Sequence, residues 1–212
     1  MDKRMVESFS KKIVWLGHDG FRIEAEKNVY FDPYTITDGP DADFILITHE
    51  HLDHCSPEDV SKIQSSHTVI VTEQGSARKL TGDVRVMKPG ESLTLDNIKI
   101  EAFPSYNTDK AFHPRKNNWL GFIVEIDGVR VYHAGDTDFI PEMKTLAVDI
   151  ALLPVSGTYV MTSSQAVQAA LAINPKLAYP MHYGAVVGNE QDALDFQKAL
   201  EGRIQVLVLQ KT

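Results

Sequence analysis

Cysteine is almost absent from this 212-residue chain: the single Cys55 excludes an intrachain disulfide and fits a reducing compartment. Long apolar runs are missing as well. The stretch LAVDIALLPV at 146–155 is far short of a membrane span and carries Asp149. Positive charge is in deficit, with 21 Lys and Arg against 29 Asp and Glu, for a net charge of −8 with histidine neutral. Such a surface as a whole repels nucleic acid and anionic membranes. The opening MDKRMVESFSKKIVW is basic but has neither an apolar core nor a small-residue cleavage site, so it does not read as a secretory leader. Together these absences predict a cytoplasmic protein with no membrane span.

The composition that remains, 43% hydrophobic and 24% charged, is that of an ordinary globular chain able to bury one substantial core. No linker, repeat or low-complexity tract divides it, which predicts a single domain over residues 1–212.

Short strand-like segments run throughout. IVWLG (13–17), FRIEA (21–25) and NVYFD (28–32) read as a meander, and the continuous apolar run of DFILITH (43–49) as a buried central strand. SPEDVSKIQ follows as a helix with Ser56 at the N-cap, Pro57 at the first position and Asp59 completing an S-x-x-D capping box. TVIVT, VRVMKPG, SLTLD and IKIEAF continue as strands, with EQGSARKL a short helix. GFIVEIDGVRVYHAGD is a hairpin turning on Asp127-Gly128. Strand and helix then alternate: VDIALLPV, SSQAVQAALAI, KLAYPMHYG, EQDALDFQKALEG and RIQVLVL. A strand-rich half followed by alternation predicts two packed sheets covered by helices.

The chemistry concentrates in THEHLDH at 48–54, directly after the apolar run FILI. Three histidines and two acids in six positions at a buried strand end are costly unless the polar groups have partners. In an extended segment His49 and His51 face one side, while Asp53 and His54 fall where the chain turns into the helix capped by Ser56. The H-E-x-x-H arrangement of helical zinc proteases is excluded, because Asp53 stands where the second histidine would be and the preceding residues are strand-like. A lone histidine here would be a capped or solvated side chain; three with an aspartate point to metal. HAGDTD and PMHYG end later strands with Asp136 and His182, each weak on its own because Asp beside Gly is usually a turn residue.

These residues resemble the metallo-β-lactamase superfamily. Its signature H-x-H-x-D-H is matched by His49, His51, Asp53 and His54, and the likeness extends to WLGHDGFRIE, FDP, HAGDTD and PMHYG, nearly the whole chain. Within it, GTYVMTSSQA and PMHYG are similar to the branch that includes ascorbate-6-phosphate lactonase and N-acyl-phosphatidylethanolamine phospholipase D. The resemblance implies an α/β fold of α+β type, a four-layer αββα sandwich of two mixed sheets flanked by helices. It also implies two divalent metal ions: His49, His51 and a third histidine on the first, Asp53, His54 and His182 on the second, and Asp136 between them. The family's third histidine is missing, since Ser105-Tyr106-Asn107 stand in its place; His113 in TDKAFHPRKNNW is the preferred substitute and an Asn107 oxygen the alternative. Zinc suits this donor set, with manganese or iron also compatible. A metal pair lowers the pKa of a shared water, and Asp53 is the catalytic residue that orients this nucleophile and moves its proton.

Other residues carry two readings. His18 either lines the site or is a turn histidine, and Asp32 either braces a ligand or makes an Asp-Pro turn. His133 reads as packed or hydrogen-bonded, Cys55 as a small buried residue, and His67 as an exposed loop residue. Trp119, Tyr159 and Tyr183 are candidate pocket walls or core.

The expected function is hydrolysis of a small anionic molecule: a lactone, phosphodiester or related ester. A nuclease of the same fold is the second reading, supported by Lys110, Arg115 and Lys116 and opposed by the acidic charge and short chain. Di-iron redox relatives place a carboxylate where His51 stands, and a non-enzymatic metal-binding module is the fourth reading. The partner expected is a small-molecule substrate, with no nucleic acid, and homo-oligomerisation is left open.

Overall fold

A computed structural model describes residues 3–212; Met1 and Asp2, the first residues of the stretch read above as lacking a leader, lie outside the described residues. The chain opens with α1 (Lys3–Ser10), which packs Val6 and Phe9 against the core. The first sheet follows: β1 (Ile13–Gly17), β2 (Gly20–Glu24), β3 (Asn28–Phe31), β4 (Phe44–Ile47), β5 (Val69–Thr72) and β6 (Asp83–Val86), in that spatial order. Helices α2 (Pro57–Ile63) and α3 (Gln74–Ala77) connect its later strands. The second sheet holds β7 (Ser92–Leu95), β8 (Ile98–Pro104), β9 (Leu120–Ile126), β10 (Val129–His133), β11 (Ile150–Pro154), β12 (Leu177–Met181) and β13 (Gln205–Val206). Helices α4 (Ser163–Ile173) and α5 (Glu190–Ala199) connect its last strands.

Both sheets are mixed in the same way. Pairs β1/β2 and β2/β3 are antiparallel, whereas β3/β4, β4/β5 and β5/β6 are parallel. In the second sheet β7 to β10 pair antiparallel and β10 to β13 parallel. The period-2 pattern of the first sheet explains the layering. Ile13, Trp15, Val29, Phe31, Phe44, Leu46 and Val71 face the large core shared with the second sheet. Their neighbours Leu16, Tyr30, Ile45, Ile47 and Ile70 face a separate core containing Val60 and Ile63 of α2. The result is the αββα sandwich, each buried aliphatic side chain contributing roughly 1.5–3 kcal/mol of transfer free energy.

Local signals behave largely as the residues dictate. Asp127 and Gly128 both take positive φ, as a two-residue hairpin turn requires. Ser56 caps α2 by accepting from Asp59 N at 3.2 Å. The capping box is only half made, however, because the Asp59 carboxylate accepts from Thr35 N and Ile36 N instead of reaching back. RIQVLVL is a strand only at Gln205–Val206. After Leu207 N donates to Ala178 O the chain leaves the sheet, and Thr212 N donates to Trp15 O of the opposite sheet. Among the described residues no helix is long and apolar enough to cross a membrane.

Candidate metal centre

The parallel halves of both sheets point their C-terminal strand ends at one edge, where open α/β sheets place ligands. β4 delivers Thr48 to His54, β10 delivers Asp136 and β12 delivers His182, while the β1–β2 turn brings His18 and Asp19. Backbone bonds hold the edges together: Leu120 N donates to Thr48 O at 3.0 Å and His182 N to His18 O at 3.1 Å. His133, stacked flat on Phe31, donates from Nε2 to Asp19 O at 2.8 Å. Gly135 has no substitute here, because its φ is +61° and a Cβ would sit 2.8 Å from Leu120 O. His18, Asp32 and His182 take the left-handed region with φ of 51°, 39° and 60°. Each such residue costs on the order of 1–3 kcal/mol and persists where surrounding structure enforces it.

The imidazoles are fixed from behind. His54 Nδ1 donates to Asp32 Oδ2 at 2.8 Å, and the same carboxylate accepts from Thr48 N at 2.8 Å and Thr48 Oγ1 at 2.7 Å. Because that hydroxyl donates to Asp32, its oxygen is left to accept from His49 Nδ1 at 3.0 Å. His113 Nδ1 lies 3.1 Å from Asn107 Oδ1 and 3.2 Å from Tyr159 O; His182 Nδ1 lies 2.8 Å from Ser156 Oγ. These contacts anchor the Nδ1 side of each ring, so that Nε2 of His49, His54, His113 and His182 faces inward.

They face Asp136. Its Oδ2 lies 3.1 Å from His113 Nε2, 3.2 Å from His182 Nε2 and 4.0 Å from His49 Nε2, and its Oδ1 lies 3.4 Å from His54 Nε2. His49 Nε2 is also 3.0 Å from Nδ1 of the exposed His51. Yet His54 Nε2, His113 Nε2, His182 Nε2, Asp136 Oδ1 and both Asp19 oxygens are buried without a hydrogen-bond partner. Orphaned polar atoms in such number are costly, and their convergence fits a shared cation. Donor atoms of His49, His51 and His113 lie within 4.8 Å of one another; so do those of His18, Asp53, His54 and His182, and those of Asp19, His54, Asp136 and His182.

The electrostatics are those of a site that has gathered opposite charges in a dry place. Burial opposes ionisation of Asp136, but His182 and His54 hold its carboxyl well below the usual range. Burial likewise opposes charging His182, but Asp136 and Asp19 lift it to about 9. Burial and the neighbouring His54 push His49 well below the ordinary imidazole value. Asp53 overcomes its burial through the hydrogen bond to His18 Nε2 at 3.1 Å and falls to about 2. Burial, opposed by His182 and reinforced by Asp136, pushes Asp19 well above the carboxylate range. Divalent cations would take the place of the protons this cluster otherwise shares.

All seven residues expected from the sequence, His49, His51, Asp53, His54, His113, Asp136 and His182, are brought to this edge. Between the two substitutes for the missing histidine, the fold turns the His113 ring inward and assigns Asn107 to holding it: Asn107 Oδ1 also accepts from His113 N at 3.0 Å, and Asn107 Nδ2 donates to Tyr159 O. His18 lies against Asp53 and Asp32 against His54, His133 and Cys55 are buried, and His67 is exposed beside Ser65. Asp19, Thr48 and Ser156 escaped sequence reading, since a turn Asp and strand-end hydroxyls carry no spacing signal. The basic cluster is largely neutralised: Arg115 bonds Glu142 at 2.9 Å and stacks over Tyr106, and Lys110 bonds Asp109 and Asp138.

Comparison with known proteins identifies the family and the fold. Residues 12–182 match the beta-lactamase superfamily domain family. A UPF0173 metal-dependent hydrolase of Thermoplasma acidophilum is 34% identical, with 93% of this chain and 94% of the relative covered. One from Archaeoglobus fulgidus is 32% identical over 93% and 95%. A solved structure from Parabacteroides distasonis, assigned to the metal-dependent hydrolases, is 39% identical with a TM-score of 0.84 over 92% of this chain and 91% of that one. Igni18, a metallo hydrolase of Ignicoccus hospitalis, shares the fold at 23% identity with a TM-score of 0.76 over 94% of each chain. The chain belongs to the metallo-β-lactamase superfamily, among its metal-dependent hydrolases.

Proposed function

We propose that residues 1–212 act as one catalytic domain that uses two divalent ions to hydrolyse a small ester, lactone or phosphodiester. His49, His51 and His113 would hold the first ion, Asp53, His54 and His182 the second, with Asp136 between them. The observation that carries this reading is the set of inward imidazole nitrogens left without partners around Asp136 while their outer nitrogens are anchored. When bound, the ion pair supplies a water of lowered pKa and stabilisation for the oxyanion formed on attack. Asp53, hydrogen-bonded to His18, would orient such a water and accept its proton for the leaving group. The exposed His51 marks the side open to substrate, and Trp119, whose ring lies 4.7 Å from that of His49, also walls a cavity of about 320 Å³ with Ser105, Tyr106 and Arg115.

The imidazole trio suits zinc. The similarity of GTYVMTSSQA and PMHYG to the lactonase branch supports a cyclic or linear ester of modest size, and the acidic surface disfavours long polyanions. Metal analysis of the purified chain, followed by a screen of lactones, phosphomonoesters and phosphodiesters with Asp136→Ala as the control, tests this. Metal-dependent turnover lost in Asp136→Ala is expected; absence of bound metal after incubation with zinc or manganese overturns it.

A further inference from the structure

The β1–β2 turn carries a carboxylate that the H-x-H-x-D-H pattern does not include. Asp19 is fully buried, and neither of its oxygens has a hydrogen-bond partner. Its side chain is bounded by His54, whose Nδ1 is 3.7 Å from Asp19 Oδ2, and one of its oxygens lies within 4.8 Å of donor atoms of His54, Asp136 and His182 together. Its backbone is pinned by His133 Nε2, so its position belongs to the inter-sheet framework and not to a mobile loop. A carboxylate with two free oxygens in a dry site is costly, and the groups nearest it already serve other partners: Asp32 occupies His54 Nδ1 and Ser156 occupies His182 Nδ1. A cation beside His54 and His182 would answer the unmet oxygen that lies near their donor atoms.

We infer that Asp19 is an additional protein ligand of the second metal position, which thereby holds Asp19, Asp53, Asp136, His54 and His182. This rests on the two-ion reading above. The consequence is one of metal class. Three imidazoles beside the shared Asp136 suit the first position to zinc, whereas two imidazoles with Asp19, Asp53 and the shared Asp136 make the second a mixed nitrogen and oxygen site that accepts the harder Mn²⁺ or Fe²⁺. Zinc still binds more tightly than manganese in absolute terms at any such site, so the property encoded by Asp19 is a narrowed gap between the two ions.

The test compares wild type, Asp19→Asn and Asp19→Ser after chelator stripping, titrated separately with Mn²⁺ and Zn²⁺ and read by calorimetry and by metal content after dialysis. Near-ultraviolet circular dichroism establishes that each variant is folded, Asp19→Ser serving as the smaller residue for this tight turn. Wild type is expected to show a smaller zinc-to-manganese affinity ratio at one position than at the other. Both variants are expected to lose at least tenfold in Mn²⁺ affinity at that position, with a smaller loss for Zn²⁺ and no change at the other. Equal losses for both ions, or unchanged Mn²⁺ binding in a folded variant, overturn the assignment while leaving the two-ion reading intact. Equal affinity ratios at the two wild-type positions overturn it whatever the variants do, and a wild type that binds no metal overturns both.

Discussion

The imidazole trio of His49, His51 and His113 and the group around His54 and His182 sit side by side on one sheet edge but are built from different materials. The trio reaches solvent through the exposed His51, and its third member comes from a long loop between β8 and β9. The second group is closed in by the β1–β2 turn, carries carboxylates on several sides, and takes residues from both sheets. The half built of imidazoles alone is thus the more exposed one, and the half that gathers carboxylates is the buried one. It also means that the two halves fail differently when damaged.

Asp136→Ala removes the carboxylate between the halves and is expected to have the largest effect: loss of both ions by metal analysis, with activity falling to background. His113→Ala comes next, emptying the first position while the second keeps its ion, which a stoichiometry near one metal per chain would show; two metals retained would refute the His113 assignment. Asn107→Ala acts one step removed. Because Asn107 Oδ1 holds both the ring and the backbone of His113, the first position is expected to lose roughly 10–100-fold in metal affinity, as loss of an orienting partner does.

Farther from the site, Asp149 is held below the carboxylate range against its burial by Lys176, at 2.6 Å, and by Arg130 N. A depressed folded-state pKa means that its stabilisation is present above the ordinary carboxylate range and is lost as pH falls through it. Asp149→Asn is therefore expected to cost about 1 kcal/mol near neutrality, with thermal unfolding of the two proteins converging in acid. The smallest effect is expected for Arg115→Ala, whose charge is already committed to Glu142. A change in KM for an anionic ester beyond the roughly 0.2–1 kcal/mol of an exposed pair would reinstate Arg115 as a substrate contact.

How far the sequence could be read differs between these same regions. The signature residues 49–54 announce themselves because unlike residues crowd one strand end, and the parallel strands were readable as apolar runs. His113 came into view only as a substitute for a histidine that the resemblance implies, since its loop folds back through contacts from Asn107 and Tyr159 that no spacing encodes. Asp19 was silent for a related reason: a turn aspartate looks the same whether it faces water or a dry cavity, and only the packing of the second sheet against the first decides. The tail RIQVLVL misled because its alternation fits a strand, yet Leu207 to Leu209 remain half-buried and the chain crosses to the other sheet.

The side chains gathered at this edge come from both ends of the chain: His18, Asp19 and residues 49–54 hang from the first sheet, and Asp136 and His182 from the second. Ions held between them would work as a rivet through two plates, closing loops that span most of the sequence, the class of cross-link whose loss releases the most unfolded-chain entropy. Stripping the metal should then loosen the seam before it melts the cores. Amide protons of the β1–β2 turn and of residues 134–138 and 182–184 would exchange faster well below the temperature at which the sheets unfold, and the centre would set the protein's mechanical coherence as well as its chemistry.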